Sequence, residues 1–292
     1  EVWWPGLLTP IAVIPLCVLA LRLFDRRDMG SGVWAAKPGP SRGSLHSSLG
    51  LAWRLQRGTL IGWTIGIALA GLAYGSIGED VEDLLGDSSF TKETFGQAGG
   101  SLVDSFYAVL AMMVALMAAG FTISAVLRLR SEESQHFAEL QLAAAEPRWR
   151  WAASHLSIAV FGTLLVVGAG GLGMGVGFAA VTGDSSAIVR LLVATLSYAV
   201  PVLVLAGVAW LAYALRPAWA MLGWAGLGFC VVVMLFGPSL QLPSWLMNIS
   251  PFEHMAMMPA QDFELAPVAA LLAIVAALGA GGMVGLKHRD LG

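Results

Sequence analysis

The chain of 292 residues is 57% hydrophobic and only 12% charged, with a mean hydropathy of +0.75 and a formal net charge of -3. Soluble domains carry about 25% charged residues, so too little polar surface exists here to face water, and lipid is the expected solvent. The small, dispersed charge excludes nucleic acid as a partner, while Cys17 and Cys230, far apart in apolar stretches, exclude a disulfide framework or a CxxC metal site.

The chain opens on Glu1-Val2-Trp3-Trp4, with no initiator Met and no basic segment ahead of the apolar run. That pattern argues against a secretory signal peptide and for a piece of a longer polypeptide. Residues 2–21 are the first of seven stretches free of Asp, Glu, Lys, Arg and His; the others are 58–78, 105–127, 156–183, 191–215, 217–252 and 265–286. At about 1.5 Å per residue, each can cross roughly 30 Å of hydrocarbon. Continuous apolar runs predict helices, because a membrane strand would alternate in polarity over about 10 residues.

After the first span, Gly32, Pro38, Gly39, Pro40 and the serines up to Ser48 mark a linker. Leu45 to Arg57 then reads as an amphipathic helix, with Leu49, Ala52, Trp53 and Leu55 on one broad side and His46, Arg54 and Arg57 opposite. Such a helix is expected to lie in the inner interface as an elbow before the chain turns into the membrane. Between the second and third spans, Glu79 to Asp104 is acidic, the pattern of a solvated loop.

The loop from Arg128 to Trp151 follows the third span. Glu132 and His136 lie one turn apart, Phe137, Leu140 and Ala144 recur at helical spacing, and Pro147 ends the pattern. A short amphipathic helix over 132–147 is expected beneath the membrane, followed by a basic and aromatic belt of Arg148, Trp149, Arg150 and Trp151. In the next span, Gly168 to Gly173 formally matches GxGxxG but follows no strand, so Gly171, Gly173, Gly175 and Gly177 are read as small residues for close helix contact.

With the first span running inward, 14 of the 16 Lys and Arg residues fall on one side, leaving only Lys92 and Arg190 on the other. The positive-inside rule makes the basic side and the C-terminus cytoplasmic, in the plasma membrane. The two ends of the chain also resemble each other. Residues 23–30 and 285–292 both run from apolar helix to basic pair, Arg-Asp, an apolar residue and Gly. This suggests two similar halves in tandem, as in many transporters. The expected divisions are 1–24, the last transmembrane helix of a preceding half; 25–57, a cytoplasmic linker with the elbow; and 58–292, a six-helix half.

A family resemblance rests on two stretches. Glu132-Glu133, Glu139-Leu140, the Ala-rich run to Ala145 and Pro147-Arg148-Trp149-Arg150 form one; Leu242-Pro243-Ser244-Trp245, Asn248 to His254 and Pro259 form the other. Together they resemble ABC-2 type permeases, most of all the actinobacterial antibiotic exporters of the tetronasin and polyketide type. The resemblance covers residues 45–292 as one half and 1–30 as the end of another. Glu146 before Pro147 and the Met255 to Met258 stretch depart from the family pattern.

The resemblance implies an all-α integral membrane protein: a six-helix ABC-2 type bundle plus one preceding helix, with elbow and coupling helices. It implies that Glu132, Glu133, Phe137, Glu139, Leu140, Glu146 and Arg148 couple to an ATPase subunit, and that Trp53, Arg54 and Arg57 belong to the elbow. Pro251, Phe252 and His254 would lie in an outer re-entrant segment. The partners implied are a nucleotide-binding subunit in two copies, the preceding half or a second permease, and membrane lipids. ATP and Mg would sit on the partner, with no cofactor in this chain.

None of the three lysines follows a glycine, so no P-loop is present, and HExxH does not occur. The spans hold no ionisable residue, which favours energy delivered from outside the bilayer over a built-in ion pathway. The expected function is the permease of an ATP-driven exporter of amphipathic compounds. A non-transporting membrane scaffold or an intramembrane lipid-acting enzyme is the alternative.

Overall fold

A computed structural model describes residues 5–25, 47–78, 101–135, 147–237 and 239–289. The chain divides into two compact units, residues 1–46 and 47–292. In the first, helix α1 (Pro5–Asp25) takes in residues 5–21 of the first expected span and carries Arg22 in its last turn.

The second unit runs α2 (Ser48–Gly75), α3 (Leu102–Ser134), α4 (Arg148–Thr182), α5 (Ser186–Ser197), α6 (Ala199–Leu215), a 3-10 turn (Pro217–Met221) and α7 (Leu222–Phe236). It continues through α8 (Ser244–Met247) and a second 3-10 turn (Pro251–His254) to α9 (Leu265–His288). Among the described residues there is no strand. Among the described residues six stretches are long and apolar enough to cross a membrane: 48–75, 102–134, 148–182, 186–215, 217–236 and 265–288. The protein is an all-α polytopic membrane protein.

Several helices outrun the apolar stretches that predict them. The expected elbow and the span after it are one helix, α2, of 28 residues. Ser47 caps it, accepting the Gly50 N–H at 3.1 Å, and no capping residue or proline interrupts it at Arg57, so the helix crosses the expected boundary between 57 and 58. Helix α3 likewise continues to Ser134. Glu132 and Glu133 therefore end a spanning helix, which corrects the expected start of the 132–147 helix, because Arg128 pairs with Glu132 one turn on and sustains α3 past the apolar run; residues 136–146 of that expected helix lie outside the described residues. At 33 and 35 residues, α3 and α4 reach about 50 Å, well beyond roughly 30 Å of hydrocarbon.

The fifth span starts at Ser186, five residues before its expected position, and breaks at Tyr198 between α5 and α6. Pro201 supplies the reason: it lacks the N–H that would reach the carbonyl of Ser197. The sixth apolar run ends its helix at Phe236, where Gly237 caps it with an N–H bond of 2.8 Å to the Val233 carbonyl. The rest of that run folds as short turns before α9.

The core is held by small residues. A methyl on Gly173 or Gly177 of α4 would strike the carbonyls of Ala68 or Leu72 in α2, and one on Gly71 or Gly75 of α2 would strike those of Gly170 or Met174. Gly171 and Gly175 turn to the other side, against Thr195 and Ile188 of α5. Without a hydrophobic drive between helices in lipid, such close backbone approach is what packs them. Across α3 and α4, the buried hydroxyls of Thr122 and Thr163 are hydrogen-bonded at 2.8 Å.

Candidate functional site

Charge concentrates at the end of the second unit where α3, α6 and α9 stop and α4 begins. Glu133, in the last turn of α3, accepts hydrogen bonds from Nη2 of Arg289 at 2.9 and 2.7 Å on its two oxygens and from the Tyr213 hydroxyl at 2.5 Å. Arg289, just past α9, also donates from Nη1 to the Tyr213 carbonyl at 2.9 Å, and its guanidinium lies 4.8 Å from the centre of the Tyr213 ring. Arg148, opening α4, donates to the Arg289 carbonyl at 2.8 Å. One carboxylate thus ties the ends of three spanning helices, and Arg148 adds a fourth.

The side chains of Arg289 and Glu133 are only 14% and 18% exposed, so water screens the pair weakly, unlike an ordinary surface ion pair. Beside it, Arg128 holds the nearly buried Glu132 at 2.9 Å. On the same α4 turns, His155 and Gln56 of α2 are buried and bonded at 3.1 Å, and the Trp151 ring packs edgewise on His155 at 5.9 Å. The helices that form run past the charge-free stretches, so Arg128, Glu132 and Glu133 stand on α3 and His155 on α4, while 105–127 and 156–183 themselves carry no charged residue or histidine.

Of the residues expected to couple to a partner, Glu132 and Glu133 are engaged inside the bundle and Arg148 on its neighbour's backbone. Phe137, Glu139, Leu140 and Glu146 lie outside the described residues. Trp53 meets Phe161 of α4 edgewise at 6.4 Å, while Arg54 and Arg57 are exposed on the first turns of α2. Arg289 and Tyr213 carry most of the knot, yet sequence reasoning reads them as a basic tail residue and part of an apolar run. The only signal is the Arg-Asp ending shared by the two ends of the chain.

At the opposite end, Ser101 and Asp104 cap α3 reciprocally, with Asp104 N–H donating to Ser101 Oγ at 3.0 Å and that hydroxyl donating to the Asp104 carboxylate at 2.8 Å. Arg190 donates to the same carboxylate at 2.9 Å. Asp184 is held below the usual carboxylate range, first by the Ser186 hydroxyl and backbone N–H and also by Arg190. In the segment before α9, Pro251 and Phe252 are buried, Phe252 stacking on Tyr198 at 6.4 Å, and the His254 ring is hydrogen-bonded to the Asn248 carbonyl at 2.8 Å. Among the described residues no cluster suits a metal ion.

A polytopic helical bundle, packed through glycines and fastened at one end by a knot of charge, is the architecture of an integral membrane protein. The chain belongs to the family described as multidrug efflux system permease Rv1217c, C-terminal domain, which matches residues 45–287. It is also similar to the multidrug efflux system permease protein Rv1217c of Mycobacterium tuberculosis (strain ATCC 25618 / H37Rv), at 35% identity over 296 aligned positions covering 100% of this chain and 54% of that protein. The chain thus spans about half the length of the curated relative it matches.

Proposed function

We propose that this chain is the second half of a tandem ABC-2 type permease that exports amphipathic, drug-like compounds, driven by ATP hydrolysis on a separate subunit. The observation that carries the proposal is the full-length similarity to a multidrug efflux permease about twice as long. In this reading residues 45–292 are one half, as in the antibiotic exporters of the tetronasin and polyketide type, and α1 is the last span of the half before it. The basic end and the C-terminus face the cytoplasm, and the turns around Pro251, Phe252 and His254 lie outside.

Energy enters through the stretch between Gln135 and Pro147, where Phe137, Glu139, Leu140 and Glu146 face the nucleotide-binding subunit. Two copies of that subunit bind the ATP and Mg. Glu133, Arg289 and Tyr213 supply a mechanism for passing force inward, because a push on the root of that stretch is shared at once among α3, α6 and α9. Arg148 extends the linkage to α4.

The test is to purify the chain with and without its ATPase partner and follow ATP-driven uptake of a fluorescent amphiphile into inverted vesicles. The chain alone should hydrolyse no ATP. With the partner, Glu139→Ala and Leu140→Asp should lower both uptake and co-purification while leaving expression intact. Robust ATP hydrolysis by the isolated chain, or uptake indifferent to both substitutions, would refute the proposal.

A further inference from the structure

The charged end also holds a groove that shares Arg148 with the knot. This groove of about 510 Å³ runs between the start of α4 and the end of α9, lined by Arg148, Trp149, Met283, Val284, Leu286 and Lys287. Four of the six lining residues are apolar, and two are cations. Trp149 is 63% exposed and Val284 58%, so the apolar wall opens outward from a spanning bundle.

Among the described residues, neither Arg148 nor Lys287 has a carboxylate within 4.0 Å. A guanidinium carries five donors, and the bond to the Arg289 carbonyl engages one nitrogen of Arg148. Two cations above an apolar slot at a helix end are complementary to a phosphate joined to an acyl chain. Basic pockets between membrane helices hold acidic lipid headgroups for this reason.

We propose that this groove binds one anionic phospholipid, its phosphate held by Arg148 and Lys287 and an acyl chain lying along Trp149, Met283, Val284 and Leu286. A zwitterionic lipid would bring its own cation against theirs and is disfavoured. Because Arg148 also holds the Arg289 carbonyl, an occupied groove steadies the knot joining α3, α6 and α9. The inference rests on the chain spanning a membrane and not on the export proposal, so a protein that holds the lipid yet moves no drug leaves it intact.

Native mass spectrometry of the full chain in mild detergent, titrated with phosphatidylglycerol or phosphatidylcholine of matched acyl chains, provides the test. Wild type should retain one phosphatidylglycerol about thirtyfold more tightly than phosphatidylcholine, the scale two cations near a lipid surface supply. In the Arg148→Gln/Lys287→Gln double variant that preference should fall to about twofold or less. Met283→Trp fills the slot with both charges intact and should lower retention of both lipids. If the double variant fails to fold, Met283→Trp decides. Equal retention of the two lipids by wild type, unchanged retention by Met283→Trp, or displacement of the lipid by millimolar inorganic phosphate would overturn the assignment.

Discussion

Arg289 shows how a single side chain can serve several helices. Its guanidinium meets the Glu133 carboxylate, the Tyr213 carbonyl and the Tyr213 ring, while its own carbonyl receives Arg148. Removing one partner of such a weakly screened pair leaves the other charge without compensation, at a cost of about 3 kcal/mol. Arg289→Met and Glu133→Gln should each lower the thermal unfolding midpoint in detergent, and the double substitution should cost clearly less than the sum. Strict additivity in that double-mutant cycle would show that the two groups do not couple. Because Tyr213 donates to the same carboxylate, Tyr213→Phe should be milder, losing one hydrogen bond of about 1 kcal/mol.

Among the elements, α2 and α4 depend most on having no side chain at defined positions. Gly173→Val would drive a side chain into the Ala68 carbonyl. Overpacking against backbone costs about 1–3 kcal/mol or more, since the helix must move where a side chain could have turned aside. Gly58 on α2 has nothing within 4 Å, so Gly58→Val is the matched control. The expected result is loss of monodisperse, folded protein on size exclusion for Gly173→Val and near-normal behaviour for Gly58→Val; equal behaviour would mean that the close approach is not needed. The break between α5 and α6 belongs to this scale too: Pro201 sets it locally, and packing on both sides keeps the two helices in one span.

Asp104, Asp184 and Arg190 form one charged end, and Glu133, Arg148 and Arg289 the other. In a cysteine-free background with Cys17 and Cys230 replaced, a cysteine at Asp184 should react with an impermeant thiol reagent in intact cells, and one at Lys287 only after the membrane is opened. The reverse pattern would invert the topology and remove the cytoplasmic coupling route.

Residue order alone was enough to specify the helical class and the approximate positions of the six spans from Ser48 onward, because hydrocarbon admits only long apolar stretches with their backbone bonds satisfied inside. It also marked the glycines of α4 as contact residues. Helix lengths were decided by tertiary structure, since Arg128 and Glu132 read as loop charges until they pair along a continued helix. The Glu133–Arg289–Tyr213 knot was decided there as well. Its members stand 76 to 156 positions apart, and no periodicity or local motif relates them. Only folding back the helices puts a carboxylate, a guanidinium and a phenol at one end of the bundle, where each satisfies a charge or donor that the others would otherwise leave exposed to a poor solvent.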